Sequence, residues 1–131
     1  MVQGNCLCGE IRFEASELPG MVFNCHCSRC RMSHGAAFAT QVICGKETLR
    51  FLSGQDRLTE YVAGEIVRAF CGACGSRLMN YSVGDEYLSV SLSSIRGRAD
   101  LLPVGECFAP EKLPFVQLDQ SIAHFPRLPG N

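Results

Sequence analysis

The chain has 131 residues and a formal net charge of −1, with 47 % hydrophobic and 19 % charged residues. That balance fits a globular domain with a modest core and leaves no electrostatic footprint for nucleic acid or an anionic membrane surface. No apolar run approaches the ~20 residues of a membrane span, and no basic leader precedes an apolar stretch. The expectation is therefore one cytoplasmic domain over residues 1–131, without nucleic-acid or membrane partners. Its nine cysteines read as metal ligands before disulfides, because thiols stay reduced in that compartment.

The predicted elements follow in chain order. Ile11 to Ala15 alternates as a half-buried strand, and Leu18-Pro19-Gly20 reads as a turn. Met21-Val22-Phe23 is a short apolar run. Ser28 to His34 is expected to form one or two helical turns stopped by Gly35. Ala36 to Cys44 reads as a largely buried strand. Leu49–Leu52, Leu58–Val62, Ile66–Phe70 and Arg77–Tyr81 are further strands, with a hairpin turn at Ala63-Gly64-Glu65. From Leu88 to Ser93, apolar residues alternate with serines, so one strand face is apolar and the other polar. Beyond Ile95 the recurring prolines (Pro103, Pro110, Pro114, Pro126, Pro129) predict a mostly irregular tail wrapping the core. These elements predict an all-β, mostly antiparallel fold with short helical pieces.

Seven cysteines fall in three clusters. Cys6/Cys8 and Cys71/Cys74 are pairs, each followed at once by glycine, Gly9 and Gly75. A tight knuckle that aims backbone N–H groups at sulfur is helped by a residue free to take positive φ. The pairs look like two halves of one tetrahedral zinc site; the alternative is ordinary buried or disulfide cysteines. Cys25, Cys27 and Cys30 form a C-x-C-x-x-C triplet with three ligands and one position to fill. On a short helix Cys27 and Cys30 would share a face, and Arg29, Arg31 and the helix N-terminus would favour thiolates. Zinc with three protein ligands is the catalytic pattern, and a thiophilic three-cysteine set suits a thiol substrate. Two alternatives stay open: a second structural zinc completed by Cys44, Cys107 or a histidine, and a redox dithiol at Cys27 and Cys30. His26 sits between two ligands and is expected to point away from the metal. His34 can reach the site from the helix end but reads first as a surface or core residue. His124 lies in the tail without an evident role. Cys44 reads as a small hydrophobe, and Arg68 and Arg77 as offsets to thiolate charge.

The stretches Gly4–Gly9, Cys25–Arg31, Gly35–Phe38 and Arg68–Ser76 resemble the glutathione-dependent formaldehyde-activating enzyme family, which includes centromere-protein-V-like members. Lys112–Phe115 and His124–Pro126 fit loosely. The resemblance implies an Mss4-like fold of small coiled antiparallel sheets. It implies two zinc ions per chain: a structural one on Cys6, Cys8, Cys71 and Cys74, and a catalytic, exchangeable one on Cys25, Cys27 and Cys30. It also implies a carbon–sulfur lyase whose partners are a small thiol such as glutathione and a small aldehyde such as formaldehyde, joined as S-hydroxymethylglutathione. In that chemistry the glutathione sulfur meets the catalytic zinc and the thiolate adds to the aldehyde. The chain departs from the family at Phe115, where Trp is frequent, and at His34, where a small residue is common. It shows no obvious basic cluster for glutathione carboxylates, for which Arg29, Arg31 and Lys112 are the expected sources. Mss4-like folds also serve protein partners, so a non-enzymatic, zinc-stabilised binding module is the competing expectation.

Overall fold

The computed structural model describes residues 1–130. Eleven strands form two sheets among these residues. The smaller is antiparallel and made of β1 (Val2–Asn5), β2 (Arg12–Ala15) and β5 (Arg50–Ser53), in the order β1-β2-β5. The larger contains β3 (Glu17–Cys25), β4 (Ala39–Gly45), β6 (Leu58–Ala63), β7 (Ile66–Cys71), β8 (Arg77–Ser82), β9 (Tyr87–Ser91), β10 (Gly105–Cys107) and β11 (Ala123–His124). Its order is β11-β10-β3-β4-β9-β8-β7-β6. This is the mostly β, Mss4-like architecture that the resemblance implies. No helix among the described residues is long and apolar enough to cross a membrane.

Alternation along the strands sends Val2, Phe13 and Ala15 of the small sheet against Val42, Ala69, Met79, Leu88 and Val90 of the large one, all buried. Cys44 lies in this core as the expected small hydrophobe, and burial pushes its thiol up to about 12. The opposite face of the large sheet is more polar. It carries Cys25, Gln41, Ser89, Asn80 and Arg68, as the registers of β3, β4, β9, β8 and β7 show.

Three local expectations change. Leu18-Pro19-Gly20 does not reverse the chain; β3 runs through it with a register shift between Glu17 and Val22, because the flanking residues both pair with β4. The alternation from Leu88 ends at Ser91, where a single helical turn over Leu92–Ser94 begins. The tail is mostly irregular as expected, yet it contributes β10, fully buried and parallel to both β3 and β11.

Candidate metal centres

The four-cysteine cluster sits where two knuckles meet. In the first, Cys6 N–H donates to the Ile11 carbonyl at 3.1 Å; in the second, Cys71 N–H donates to the Ser76 carbonyl at 2.9 Å. Each turn passes through a glycine with positive φ, Gly9 at 81° and Gly75 at 82°, the conformation for which those glycines were singled out. Ile11 N–H points at Cys6 Sγ at 3.2 Å, and Leu7 N–H donates to Ser76 Oγ at 2.8 Å, joining one knuckle to the other. The hydroxyl and backbone of Ser76 and the backbone of Cys8 hold the Cys74 thiol down, to about 6. The four sulfurs lie within 4.8 Å of one another. Cys6–Cys8 and Cys8–Cys71 are 3.5 and 3.9 Å apart. A tetrahedron with Zn–S of ~2.3 Å has sulfur–sulfur edges of about 3.8 Å, so this donor set fits zinc.

The triplet is built by the end of β3 and by α1 (Ser28–His34), which stops at Gly35 in the left-handed region as expected. Cys27 is the helix N-cap: its sulfur accepts the Cys30 N–H at 3.3 Å. Cys25 and Cys27 sulfurs are 3.5 Å apart, and all three triplet sulfurs lie within 4.8 Å of one another. This set also fits a thiophilic metal. The thiols of Cys25 and Cys30, the Cys30 N–H and the charge of Arg68 hold the Cys27 thiol far below its ordinary value. The cation that helps is thus Arg68 of β7. Arg29 is exposed, and Arg31 Nε donates to the His26 carbonyl at 3.0 Å.

Among the described residues, no fourth side chain joins the triplet. Cys107 pairs in register with Cys25 and is buried, its thiol pushed up to about 11 by that burial, but its sulfur stands outside the set. His26 turns away as expected: its Nε2 pairs with Glu106 Oε1 at 2.7 Å and its ring packs on Phe38. His124 is exposed, with Nε2 donating to the Asp119 carbonyl at 2.8 Å. His34 joins neither ligand set; its Nε2 is buried without a partner. All nine cysteines are unpaired.

Sequence reasoning missed a polar chain beneath the triplet. Gln41 Nε2 donates to Cys30 Sγ at 3.8 Å, Asn80 Nδ2 donates to Gln41 Oε1 at 3.1 Å, and Arg77 donates to Asn80 Oδ1. Gln41 and Asn80 are both buried. A glutamine within a strand read as largely buried was the available signal, since buried amides require partners.

The sequence profile of the glutathione-dependent formaldehyde-activating enzyme family matches residues 1–111. The chain belongs to this family. A solved structure of a Rhodobacter sphaeroides protein is similar to it, at 28% sequence identity and a TM-score of 0.63, covering 72% of this chain and 88% of that one. No curated protein matches the chain. Family membership and two thiol clusters of zinc-binding character agree with the expectations that the clusters raised.

Proposed function

We propose that this protein is a zinc-dependent carbon–sulfur lyase acting on the adduct of glutathione, or another small thiol, with a small aldehyde such as formaldehyde. Cys6, Cys8, Cys71 and Cys74 hold a structural zinc; Cys25, Cys27 and Cys30 hold a catalytic one whose fourth position is exchangeable. The observation that carries this assignment is the inequality between the clusters: four converging sulfurs in one, and three without a fourth protein donor in the other. Seven cysteines as metal ligands favour a reducing compartment, the cytoplasm.

Zinc on the triplet would supply Lewis acidity toward a thiol sulfur, making it a better nucleophile near neutral pH. The chain's own residues prepare that environment. The Cys27 sulfur accepts the Cys30 N–H and the Cys30 sulfur accepts a Gln41 N–H, contacts that would support both as thiolates once zinc is bound. Asn80 and Arg77 fix the orientation of the Gln41 amide. Cys25 and Cys27 are half-buried, so the set can be approached from solvent. The reaction makes or breaks one C–S bond and moves one proton between sulfur and the aldehyde oxygen; no electrons are exchanged, so no redox cofactor is required.

The test is the rate at which S-hydroxymethylglutathione forms and breaks down, followed by exchange NMR above the spontaneous rate. Freshly reduced protein is expected to hold two zinc ions and to accelerate exchange, and Cys25→Ser is expected to abolish the acceleration while staying folded. If zinc-loaded protein never exceeds the spontaneous rate with glutathione or other small thiols, the binding-module assignment takes its place.

A further inference from the structure

The polar face under α1 carries two arginines that the polar chain does not exhaust. Arg68 stands on β7 and Arg77 opens β8, in strands paired through Arg68 with Asn80 and Phe70 with Arg77. Arg77 commits two nitrogens to Asn80 and to the Ala69 carbonyl, the latter at 3.1 Å. Its Nε and the Arg68 NH1 are buried without a hydrogen-bond partner, as is His34 Nε2. Neither arginine takes part in any ion pair among the described residues. Burial and the neighbouring Arg68 both lower the proton affinity of Arg77, and the Cys30 sulfur opposes them; no carboxylate among the described residues pairs with either arginine.

Arg68 and Arg77 line one open cavity of about 320 Å³ with Ser33, Tyr61, Phe70 and Gly75. Arg77 and Gly75 also line a larger one of about 890 Å³, whose wall includes His34. Ser33 and His34 follow Cys30 on α1 by three and four residues, so both cavities begin one helical turn from the triplet. The triplet sulfurs line neither cavity and accept no hydrogen bond from either arginine. Arg68 therefore acts on the thiolates at a distance while its NH1 stays free.

We propose that Arg68 and Arg77 form a subsite for a carboxylate of the thiol substrate, one helical turn from the three-cysteine centre. Guanidinium groups are the side chains best shaped to hold a carboxylate, by paired, charge-assisted hydrogen bonds. A thiol whose carboxylate lies several bonds from its sulfur can reach both places. This rests on the triplet being the thiol site. The chemistry selects acidic thiols, glutathione among them, over neutral ones.

The experiment measures Kd on zinc-loaded protein by calorimetry for glutathione, glutathione diethyl ester and S-methylglutathione. The ester keeps the thiol and loses the carboxylates; S-methylglutathione keeps the carboxylates and loses the thiol. Glutathione is expected to bind more tightly than its ester. Arg68→Gln is expected to weaken glutathione about ten- to hundredfold, the range for one charged hydrogen bond, and the ester by clearly less, since for the ester only the charge beside the Cys27 thiolate is lost. Arg68→Lys keeps the charge without the fork and should fall between; it serves as the second variant if Arg68→Gln loses zinc or fails to fold. Equal losses for glutathione and ester, or no loss for either, would overturn the proposal and leave the arginines as offsets to thiolate charge. If the ester does not bind at all, the thiol alone does not anchor the ligand. S-methylglutathione then decides: binding that Arg68→Gln removes keeps the carboxylate subsite, and binding that it leaves intact, or no binding to the unsubstituted protein, overturns it.

Discussion

His34 is held neutral by its surroundings. Burial, then Arg77, then Arg68 push its pKa down to about 4 from an ordinary 6.5. Between those values the unfolded chain binds a proton that the folded chain refuses. Stability from this residue is therefore full above about pH 6.5 and is lost as pH falls toward about 4. His34→Gln removes that proton uptake. Urea midpoints taken from about pH 7 to about pH 5 should fall less for the variant than for the parent chain. Zinc ligands also protonate over this range, but equally in both proteins, so they cancel in the comparison. Parallel curves would mean that the imidazole is already free to charge in the folded state. Gln41 offers a second residue-scale test. Gln41→Leu strips Cys30 of its N–H donor and leaves Asn80 Nδ2 buried and unpaired, an expected loss of about 1–3 kcal/mol in unfolding free energy. Denaturation of the zinc-loaded variant measures it, and a change under about 0.5 kcal/mol would show that the amide is not fixed by the chain beneath it.

Elements explain what the sequence could disclose. The helix over Ser28–His34 was legible because everything that specifies it is local: the Cys27 cap, the Gly35 stop and seven residues between. The two knuckles were legible for the same reason, through the glycine after each cysteine pair. Long-range pairing carries no such mark. Short β10 becomes a strand only because β3 and β11 flank it, and Gln41 meets Cys30 and Asn80 only because the sheet brings β4, α1 and β8 together. The Arg68–Arg77 pair was visible as two residues beside a cysteine pair, but not as a shared cavity wall. Another long-range dependence sits at Gly54, before β6. Its φ is 72°, and an added Cβ would lie 2.1 Å from the Glu10 carbonyl oxygen, beside the first knuckle. Backbone on both sides leaves no room to yield. Gly54→Ala should cost at least about 3 kcal/mol and release zinc from the four-cysteine site at lower chelator concentration. Thermal unfolding and a chelator titration report the two effects; an unchanged chelator midpoint would mean that Glu10 moves without disturbing Cys6 or Cys8.

At the scale of the molecule the two clusters have unequal reach. The triplet closes within six residues, along one strand end and one helix. The four-cysteine set joins two pairs whose nearest members, Cys8 and Cys71, are separated by 63 residues, and links the loop between β1 and β2 to the turn between β7 and β8. It therefore ties the small sheet to the large one at the edge of their common core. Zinc bound at such a cross-link is coupled to folding of the whole chain, whereas zinc on the triplet is coupled to a single helical turn. Cys6→Ser should lower Tm by about 15 °C or more, a loss of about 5 kcal/mol for a chain of this size. Cys25→Ser should lower it by only a few degrees while zinc falls from two ions to one. Calorimetric Tm and zinc per chain, measured together, separate the cases. Equal drops in Tm would make both metals structural and remove the basis for an exchangeable site; a larger drop for Cys25→Ser would reverse the assignment of the two clusters.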